Sequence, residues 1–393
     1  MALRVTPDAL RHIRSGHPWL FDSSIVSVSH DGAAGDLAVI FDQDRNFAAI
    51  GLYDPASPLR VKVLHHGRPV TIGPDFWWSR LEAAAARRAT LTASGDTTGY
   101  RLVHGENDGM PGLVADVYDR SVVLKIYSSA WIPHLQDLLP QFERLLHPER
   151  IVVRLARSVT TDAFADGDTL VGMSPDGPVL FRERGLTFEA DITRGQKTGH
   201  FLDQRDNRAL LSTMSRDARV LDVFASTGGF SVHAAAGGAR EITAIDMSAP
   251  TLAVARRNLD HNGLLATGYR PIVGDAFEQM LQLRGRSYDI VVVDPPSFAQ
   301  RQHEVARALN AYTRLTELAI PLVNPGGVLV MCSCSSRVSA DDFFRTVGHA
   351  AARTGRPLDE IRRTGHAIDH PVGFPEGAYL KAVFSRVAAR GTT

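Results

Sequence analysis

The chain has 393 residues, 44% of them hydrophobic and 22% charged, and its 43 basic side chains balance its 43 acidic ones. This length and composition predict two or three globular domains, and the zero net charge argues against a protein that coats nucleic acid in general. The amino-terminal stretch lacks the apolar core of a signal peptide, and no apolar run approaches the roughly 18 residues of a membrane span. We therefore expect a cytoplasmic protein with no membrane partner.

Residues 1–70 contain short strand-like segments separated by turns. These segments read SIVSV, DLAVIFD, FAAIGLYD and LRVKVLHH, and together they predict a small β-barrel. Residues 71–185 open with a helix-like segment, PDFWWSRLEAAAARRATL, and continue with strand-like and helix-like segments that predict a small α+β domain. A turn-rich stretch closes this domain, so we place the next border at residue 186.

Residues 186–393 alternate between strand-like and helix-like segments. The predicted strands read RVLDVFA, EITAIDM, RPIVGDA, YDIVVVDP and GGVLVMCSC. Such alternation predicts an α/β fold with right-handed crossovers and a parallel sheet that is covered on both faces. Ligands of such sheets bind beyond the carboxyl ends of the strands, so we expect the chemistry there.

Acidic residues and glycines accompany the ends of three successive predicted strands. The first strand contains Asp222 and leads to a loop with Gly228 and Gly229, where backbone can approach a ligand closely. This loop lacks the G-x-G-x-x-G spacing of a nicotinamide enzyme. Asp246 ends the second strand, where it can accept hydrogen bonds from both ribose hydroxyls, and Asp275 follows the third, where it can bind an adenine amino group. A tight turn or a helix cap explains each residue alone, but their ordered recurrence predicts S-adenosylmethionine as the ligand.

Further segments give the chain a resemblance to a known family. They read GQKTGHFLDQR from Gly195, DPPSF from Asp294, SCS from Ser333 and, in the tail, DHP from Asp369 and PEGAYLK from Pro375. With them the chain resembles class I S-adenosylmethionine-dependent methyltransferases, and more narrowly the large-subunit ribosomal RNA cytosine-C5 methyltransferases. The resemblance covers essentially the whole chain, because HPWLF near the amino terminus is similar to the start of that family's PUA domain.

The resemblance implies a fold, a cofactor and a partner. The fold would be a PUA-like RNA-binding β-barrel over 1–70, a small α+β (EEHEE-like) domain over 71–185 and a Rossmann-like methyltransferase domain over 186–393. S-adenosylmethionine would be the cofactor and large-subunit ribosomal RNA the partner, and a homodimer is compatible with the sequence. The residues expected around the cofactor are Phe201, Asp203, Arg205, Asp222, Phe224, Gly228, Gly229, Asp246, Met247, Asp275, Ala276, Phe277 and Asp294.

Three of these residues, Phe201, Asp203 and Arg205, are assigned by the resemblance alone. They would help to close the cofactor pocket. For Asp203 and Arg205 the alternative is an exposed first turn of a helix.

The segment that begins at Asp294 and the two cysteines determine the predicted chemistry. Carbon 5 of cytosine is a poor nucleophile, so its methylation needs a thiolate that adds to carbon 6. Cys334 lies just past a strand and matches the family's nucleophile, whereas Cys332 lies inside the strand and is interpreted as a buried apolar residue. Asp294 would bind the base near its ring nitrogen 3 and stabilise the charge that develops there. The predicted substrate-binding residues are Pro295, Pro296 and Phe298.

One departure from the relatives concerns a second cysteine. Related RNA methyltransferases with two cysteines place one directly after the proline of the DPP-like segment, where this chain has Ser297. We therefore expect no separate cysteine to assist product release. One residue between Cys332 and Cys334 argues against a disulfide and against a zinc site made from this pair, so no metal is expected.

Other functions stay open at this point. A methyltransferase acting on a guanine nitrogen of ribosomal RNA would use a similar DPP segment without a thiol. A small-molecule methyltransferase would leave the first 185 residues without a purpose. An RNA-binding assembly factor without activity would not need the cofactor loop, Asp294 and Cys334, all of which are present.

Overall fold

The structure is a computed structural model that describes residues 1–195, 197–266, 268–299 and 301–389. Its contacts divide the chain into two compact units. The first unit comprises Met1–Arg182, Ala190–His200 and Ile368–Phe374. The second comprises Glu183–Glu189, Phe201–Ala367 and the described residues from Pro375 onward. The predicted domain borders at residues 70 and 185 stay a prediction.

The first unit begins with a mixed sheet of strand order β2-β6-β5-β4-β1-β3. The four predicted strands are present, whereas β1, α1 and β2 were not predicted. Helix α1 begins where Thr6 accepts a hydrogen bond from the amide of Ala9 and Pro7 occupies the first turn, which is a common helix start. The elements are β1 Ala2–Val5, α1 Pro7–Arg14, β2 Trp19–Leu20, β3 Ile25–Val28, β4 Leu37–Phe41, β5 Phe47–Tyr53 and β6 Val61–His66.

A second sheet of the first unit has the strand order β11-β10-β9-β8-β7 and packs against two helices. Trp77 and Trp131 lie at 0% exposure in this core, with ring centroids 5.3 Å apart. Their large apolar area stabilises the helices on the sheet. The elements are α2 Pro74–Thr92, β7 Gly99–His104, β8 Leu113–Tyr118, β9 Ser121–Ile126, α3 Leu135–Leu146, β10 Arg150–Leu155 and β11 Thr169–Gly172. Two short strands follow in the chain, β12 Val179–Glu183 and β13 Leu186–Ala190.

The second unit contains the predicted α/β sheet, with the strand order β16-β15-β14-β17-β18-β20-β19. Strands β14 to β18 pair in parallel, but β20 is antiparallel to both of its neighbours. The five predicted strands therefore form the expected parallel sheet, and β20 and β19 add an antiparallel part that was not predicted. The elements are α4 Arg205–Ser212, β14 Arg219–Val223, α5 Gly229–Ala236, β15 Glu241–Asp246, α6 Ala249–His261, β16 Gly268–Val273, α7 Ala276–Gln282, β17 Tyr288–Val293, α8 Val305–Ala319, β18 Val323–Ser333, α9 Ala340–Arg353, β19 Leu358–Thr364 and β20 Lys381–Val387.

The sequence of the edge strand β19 explains why the antiparallel part of the sheet was not predicted. It reads LDEIRRT and is exposed along most of its length, so it shows no apolar strand pattern. Strand order reverses at β14, because the chain continues to β15 and β16 on one side and returns to β17 on the other. A ligand crevice is expected beyond the carboxyl ends at such a switch point. No helix in the described ranges has both the length and the apolar character needed to cross a bilayer.

Candidate active site

Asp222 is a buried acid and the penultimate residue of the central strand β14. Its side chain is 1% exposed, and Ser231 in α5 donates a hydrogen bond to its Oδ2 at 2.6 Å. Burial raises the pKa of Asp222 to about 6, and the nearby Asp246 adds to this increase. Among the described residues, the other oxygen, Oδ1, has no hydrogen-bond partner. Such an oxygen can accept a hydrogen bond from a ligand or a bound water molecule.

The loop between β14 and α5 turns sharply beside this acid. Phe224 and Ser226 have φ angles of 65° and 50°, and Gly228, the residue before α5, has a φ of 78°. A Cβ atom on Gly228 would lie 2.6 Å from the Cβ of Ala255 in α6, so only glycine fits there. The predicted strand, tight loop and helix are therefore present at the carboxyl end of the sheet.

Asp246 ends β15 next to that loop. Its two carboxylate oxygens accept the amides of Ser226 and Ser248, each at 2.9 Å. Oδ1 also accepts a hydrogen bond from Oγ1 of Thr251 at 3.4 Å. Oδ2 has a second lone pair, and because the residue is only half-buried, ribose hydroxyls can reach it. The next residue, Met247, is 73% exposed and offers a large apolar surface at the strand end.

Asp275 follows β16 and caps α7. Its Oδ1 accepts the amides of Phe277 at 3.0 Å and Glu278 at 3.2 Å, so the helix-cap interpretation is correct for this acid. Ala276 is buried, and Phe277 is partly buried against the same core. Most of the predicted Ala276–Phe277 wall is thus covered by protein, whereas Val273 at the end of β16 is exposed.

Asp203 and Arg205 lie at the start of α4, and both are buried. Asp203 accepts a hydrogen bond from the hydroxyl of Tyr379 at 2.9 Å, and Arg205 is 0% exposed. The alternative of an exposed first helical turn is therefore wrong. Phe201, two residues earlier, is half-buried, and its carbonyl accepts a hydrogen bond from Nη1 of Arg208 at 2.8 Å.

Arg208 is a buried arginine that sequence analysis did not single out. It donates to both carboxylate oxygens of Glu183, at 2.7 and 2.5 Å, and Nε2 of His233 lies 2.9 Å from the same carboxylate. Burial would raise the pKa of Glu183, but Arg208 and His233 lower it below its ordinary value. A Cβ atom on Gly229 would lie 2.8 Å from Cδ of Arg208. Gly229 therefore leaves room for this arginine, which links Phe201 to the start of α5.

Asp294 directly follows β17, the neighbour of β14. Its amide donates to the carbonyl of Val223 at 3.2 Å, and its Oδ1 accepts a hydrogen bond from Nε2 of Gln204 at 2.8 Å. Gln204 is buried, and its own side-chain oxygen accepts a hydrogen bond from Asn207 at 2.6 Å. The carboxylate of Asp294 therefore has a defined orientation before any substrate binds.

The two cysteines have different surroundings. Cys332 is buried inside β18, and burial raises the pKa of its thiol well above the ordinary value. Cys334 follows the end of β18, is half-buried, and its Sγ donates to the carbonyl of Pro295 at 3.8 Å. Pro295 is buried and Pro296 exposed. Because Pro295 follows Asp294, the thiol and the carboxylate lie at neighbouring strand ends, as predicted.

A network of buried hydroxyl groups joins these two segments. Oγ of Ser335 accepts the amide of Phe298 at 3.1 Å and lies 3.1 Å from Oγ of Ser297 and 3.2 Å from the hydroxyl of Tyr312. The same tyrosine hydroxyl is 2.8 Å from Oγ of Ser333. The half-buried ring of Phe298 packs edge-on against Tyr312, with centroids 5.4 Å apart. Ser297, which directly follows the two prolines, is thus part of this network.

The two sides of the sheet offer different chemical groups at their strand ends. At β15 and β16, a half-buried carboxylate, Asp246, lies beside the exposed apolar side chains of Met247 and Val273, as a nucleoside requires. At β17 and β18, Asp294 and Cys334 supply a carboxylate and a thiol. The arrangement can therefore place a methyl donor and a nucleophile at one edge of the sheet.

Sequence analysis missed side chains that support this site. Gln204, Ser335 and Lys381 lie inside segments that carried the family resemblance, so a signal was present without a role. Arg208 lies three residues after the end of one such segment. Tyr312 lies in the helical pattern of α8, where nothing in the sequence marks it.

Comparison with known proteins agrees with this geometry. Residues 160–386 match the family described as S-adenosylmethionine-dependent methyltransferases, and residues 3–66 match the PUA-like domain family. A ribosomal RNA large subunit methyltransferase of Deinococcus radiodurans is 45% identical over 394 residues, covering 98% of this chain and 97% of the relative. A ribosomal RNA large subunit methyltransferase I of Aeromonas hydrophila is 36% identical, covering 94% and 95%.

Solved structures share the fold at lower identity. The crystal structure of the methyltransferase SMU.776 complexed with SAH has a TM-score of 0.85 with 21% identity, covering 98% of this chain and all of that chain. A methyltransferase structure from Streptococcus mutans has a TM-score of 0.84 with 20% identity and the same coverage. At these identities the likeness concerns the fold.

Proposed function

The chain belongs to the family of S-adenosylmethionine-dependent methyltransferases and has a PUA-like domain, and from this premise we propose that it methylates carbon 5 of a cytidine in large-subunit ribosomal RNA. The substrate class is supported by relatives of 45% and 36% identity whose names state that RNA. The reaction is supported by one observation above all: the thiol of Cys334 contacts the segment that contains Asp294.

We assign the cofactor to the strand ends of β14, β15 and β16. Asp246 would accept the ribose hydroxyls, Asp275 would face the adenine with the oxygen that does not cap α7, and Met247 and Val273 would cover the base. The loop at Gly228 would allow backbone to approach the amino-acid part. When bound, S-adenosylmethionine supplies an electrophilic methyl group on a sulfonium that leaves as a neutral thioether.

Carbon 5 of cytosine is too weak a nucleophile to accept the methyl group directly, and the thiolate of Cys334 activates it. This thiolate forms a bond to carbon 6, and the electron pair of the carbon 5–carbon 6 double bond makes carbon 5 nucleophilic. After carbon 5 has accepted the methyl group, it loses its proton to solvent. The double bond then forms again, the sulfur–carbon 6 bond breaks, and Cys334 leaves as a thiolate.

Asp294 stabilises the base while carbon 6 is bound to sulfur. Its carboxyl group would take a proton from solvent as the base binds and donate it to ring nitrogen 3, where negative charge develops when sulfur adds to carbon 6, and the hydrogen bond from Gln204 keeps it oriented. Pro295, Pro296 and Phe298 would contact the base after the nucleotide has left its stack. The domains before the methyltransferase domain would present the RNA, since unpaired RNA regions are what proteins recognise by sequence.

RNA that contains 5-fluorocytosine tests this reaction. Fluorine replaces the proton whose loss releases the enzyme, so the wild-type protein should form a covalent adduct with the RNA that survives denaturation. The Cys334→Ala variant should form none, while Cys332→Ala should behave like wild type. An adduct lost only in the Cys332 variant would assign the nucleophile to the other thiol. Methylation that persists in Cys334→Ala would favour the guanine-nitrogen reaction instead.

A further inference from the structure

Lys381 is a buried lysine next to the segment that contains Cys334. It is the first residue of β20 and pairs with Ser333, the last residue of β18, so it lies at the strand end that Cys334 follows. The lysine is 5% exposed. A lysine is rarely this buried unless its charge has a role or a partner.

The contacts of its Nζ atom show which form the side chain takes. Nζ donates to three main-chain carbonyls: that of Ser335 at 2.5 Å, that of Val338 at 2.6 Å and that of Tyr379 at 3.2 Å. Three acceptors need the three N–H donors of an ammonium, because a neutral amine has only two. No carboxylate in the described part of the chain forms an ion pair with it. The arrangement therefore encloses a positive charge with carbonyl dipoles beside Cys334.

The pKa of Lys381 also favours the ammonium form at neutral pH. Burial lowers the pKa of Lys381 to about 8, and a negative charge on Cys334 opposes that decrease. A group with this pKa is still mostly protonated at pH 7. The attraction is mutual, so a cation that a thiolate stabilises also stabilises the thiolate.

Other groups from the neighbouring elements also act on this thiol. Burial raises the pKa of Cys332 and of Tyr312, and the negative charge of Asp294, after β17, adds to both increases. The same charge opposes a thiolate on Cys334. Tyr312 in α8 and Cys332 in β18 both have pKa values raised by burial, so they stay neutral. Lys381 on β20 supplies positive charge to this set.

We propose that Lys381 is a positioning residue whose ammonium stabilises the thiolate of Cys334 and orders the Ser335–Val338 segment. The nucleophile is then charged before the cytosine binds. This inference rests on the proposed role of Cys334. Lys381 does not act as the general base that deprotonates the thiol. All three of its N–H groups donate to carbonyls, and an ammonium has no lone pair that could accept a proton. The thiol proton passes to solvent.

The test is the pH profile of Cys334 alkylation by iodoacetamide, measured by peptide mass spectrometry on the full chain without RNA. In wild type the midpoint should lie below the ordinary thiol value of about 8.5. Lys381→Gln keeps two N–H donors but loses the charge, so the midpoint should rise by about one unit and alkylation at pH 7 should slow about tenfold. Lys381→Arg keeps the charge and should stay near wild type. Asp294→Asn should shift the midpoint downward.

Two results would overturn the proposal. One is a wild-type midpoint at or above about 8.5, which needs no variant. The other is an equal midpoint in Lys381→Gln and Lys381→Arg, which would show that the ammonium has a merely structural effect. A lowered midpoint that depends on Lys381, together with no 5-fluorocytosine adduct, would support the role of Lys381 and contradict the proposed reaction.

Discussion

The strand ends on the two sides of the switch point are built in different ways. On the β14–β16 side, the partners of the acids lie closer in sequence: Asp246 accepts the amides of Ser248 and of Ser226, 20 residues away, and Asp275 caps its own helix. On the β17–β18 side, the groups come from distant parts of the chain, since Asp294 is bound by Gln204, 90 residues away in sequence. The side proposed to bind the cofactor thus depends on contacts between residues that are closer in sequence. The side proposed to bind the cytosine depends on tertiary packing.

The largest expected effect concerns the nucleophile on the β17–β18 side. Cys334→Ala should lower RNA methylation by about 10³-fold or more, because loss of a covalent nucleophile leaves only binding and electrostatic effects. S-adenosylmethionine binding, measured by calorimetry, should stay near wild type because the thiol lies on the other side. Cys332→Ala is the matched control and should keep most activity. Loss of cofactor binding in Cys334→Ala would contradict the separation of the two sides.

The buried acid Asp222 should make stability depend on pH. Its pKa in the fold, about 6, lies above its ordinary value of 3.8, so its contribution to stability is complete below about pH 4 and is lost as the pH rises through 6. Asp222→Asn cannot ionise. The wild type should therefore lose on the order of 3 kcal/mol relative to this variant between pH 4 and pH 7. Urea unfolding at several pH values measures the difference, and a constant difference would mean that the carboxyl group is hydrated.

Asp246 tests the β15 end of the cofactor side. Asp246→Ala should weaken S-adenosylmethionine binding about 10- to 100-fold, since a hydrogen bond to a charged group contributes about 1.5–3 kcal/mol. Calorimetry on the purified protein measures the dissociation constant. Asp260→Ala removes an exposed acid of α6 and serves as control. An unchanged dissociation constant in Asp246→Ala would contradict the proposal that Asp246 accepts hydrogen bonds from the ribose hydroxyls.

Substitution of Gln204 should have the smallest effect, and this effect should concern only the side proposed to bind the cytosine. Gln204→Leu removes the donor to Asp294, and we expect kcat to fall about tenfold, the equivalent of about 1.4 kcal/mol, with cofactor binding unchanged. Gln282→Leu, at an exposed position at the end of α7, controls for the change in polarity. Weaker cofactor binding in Gln204→Leu with normal kcat would place this glutamine on the other side.

The two sides also differ in what sequence could predict. The positions of Asp222, Gly228, Asp246 and Asp275 near strand ends could be predicted because each lies close to the end of a strand with a clear apolar pattern. For Gly229 the pattern indicated close approach of a ligand, but the structure has the side chain of Arg208 there. The buried positions of Asp203 and Arg205 were also missed, because burial of charged groups depends on partners that are not adjacent in sequence.

The sequence by itself determined the parallel strands, the acids at their ends and the position of Cys334 beyond β18, because period and strand ends are local properties. The tertiary structure decided the antiparallel insertion of β20 between β18 and β19, which brings Lys381 beside Cys334. It also decided the hydroxyl network of Ser335 and Tyr312 and the contact of Gln204 with Asp294. These contacts join segments far apart in the chain, and their residues carry no local periodicity that would reveal them.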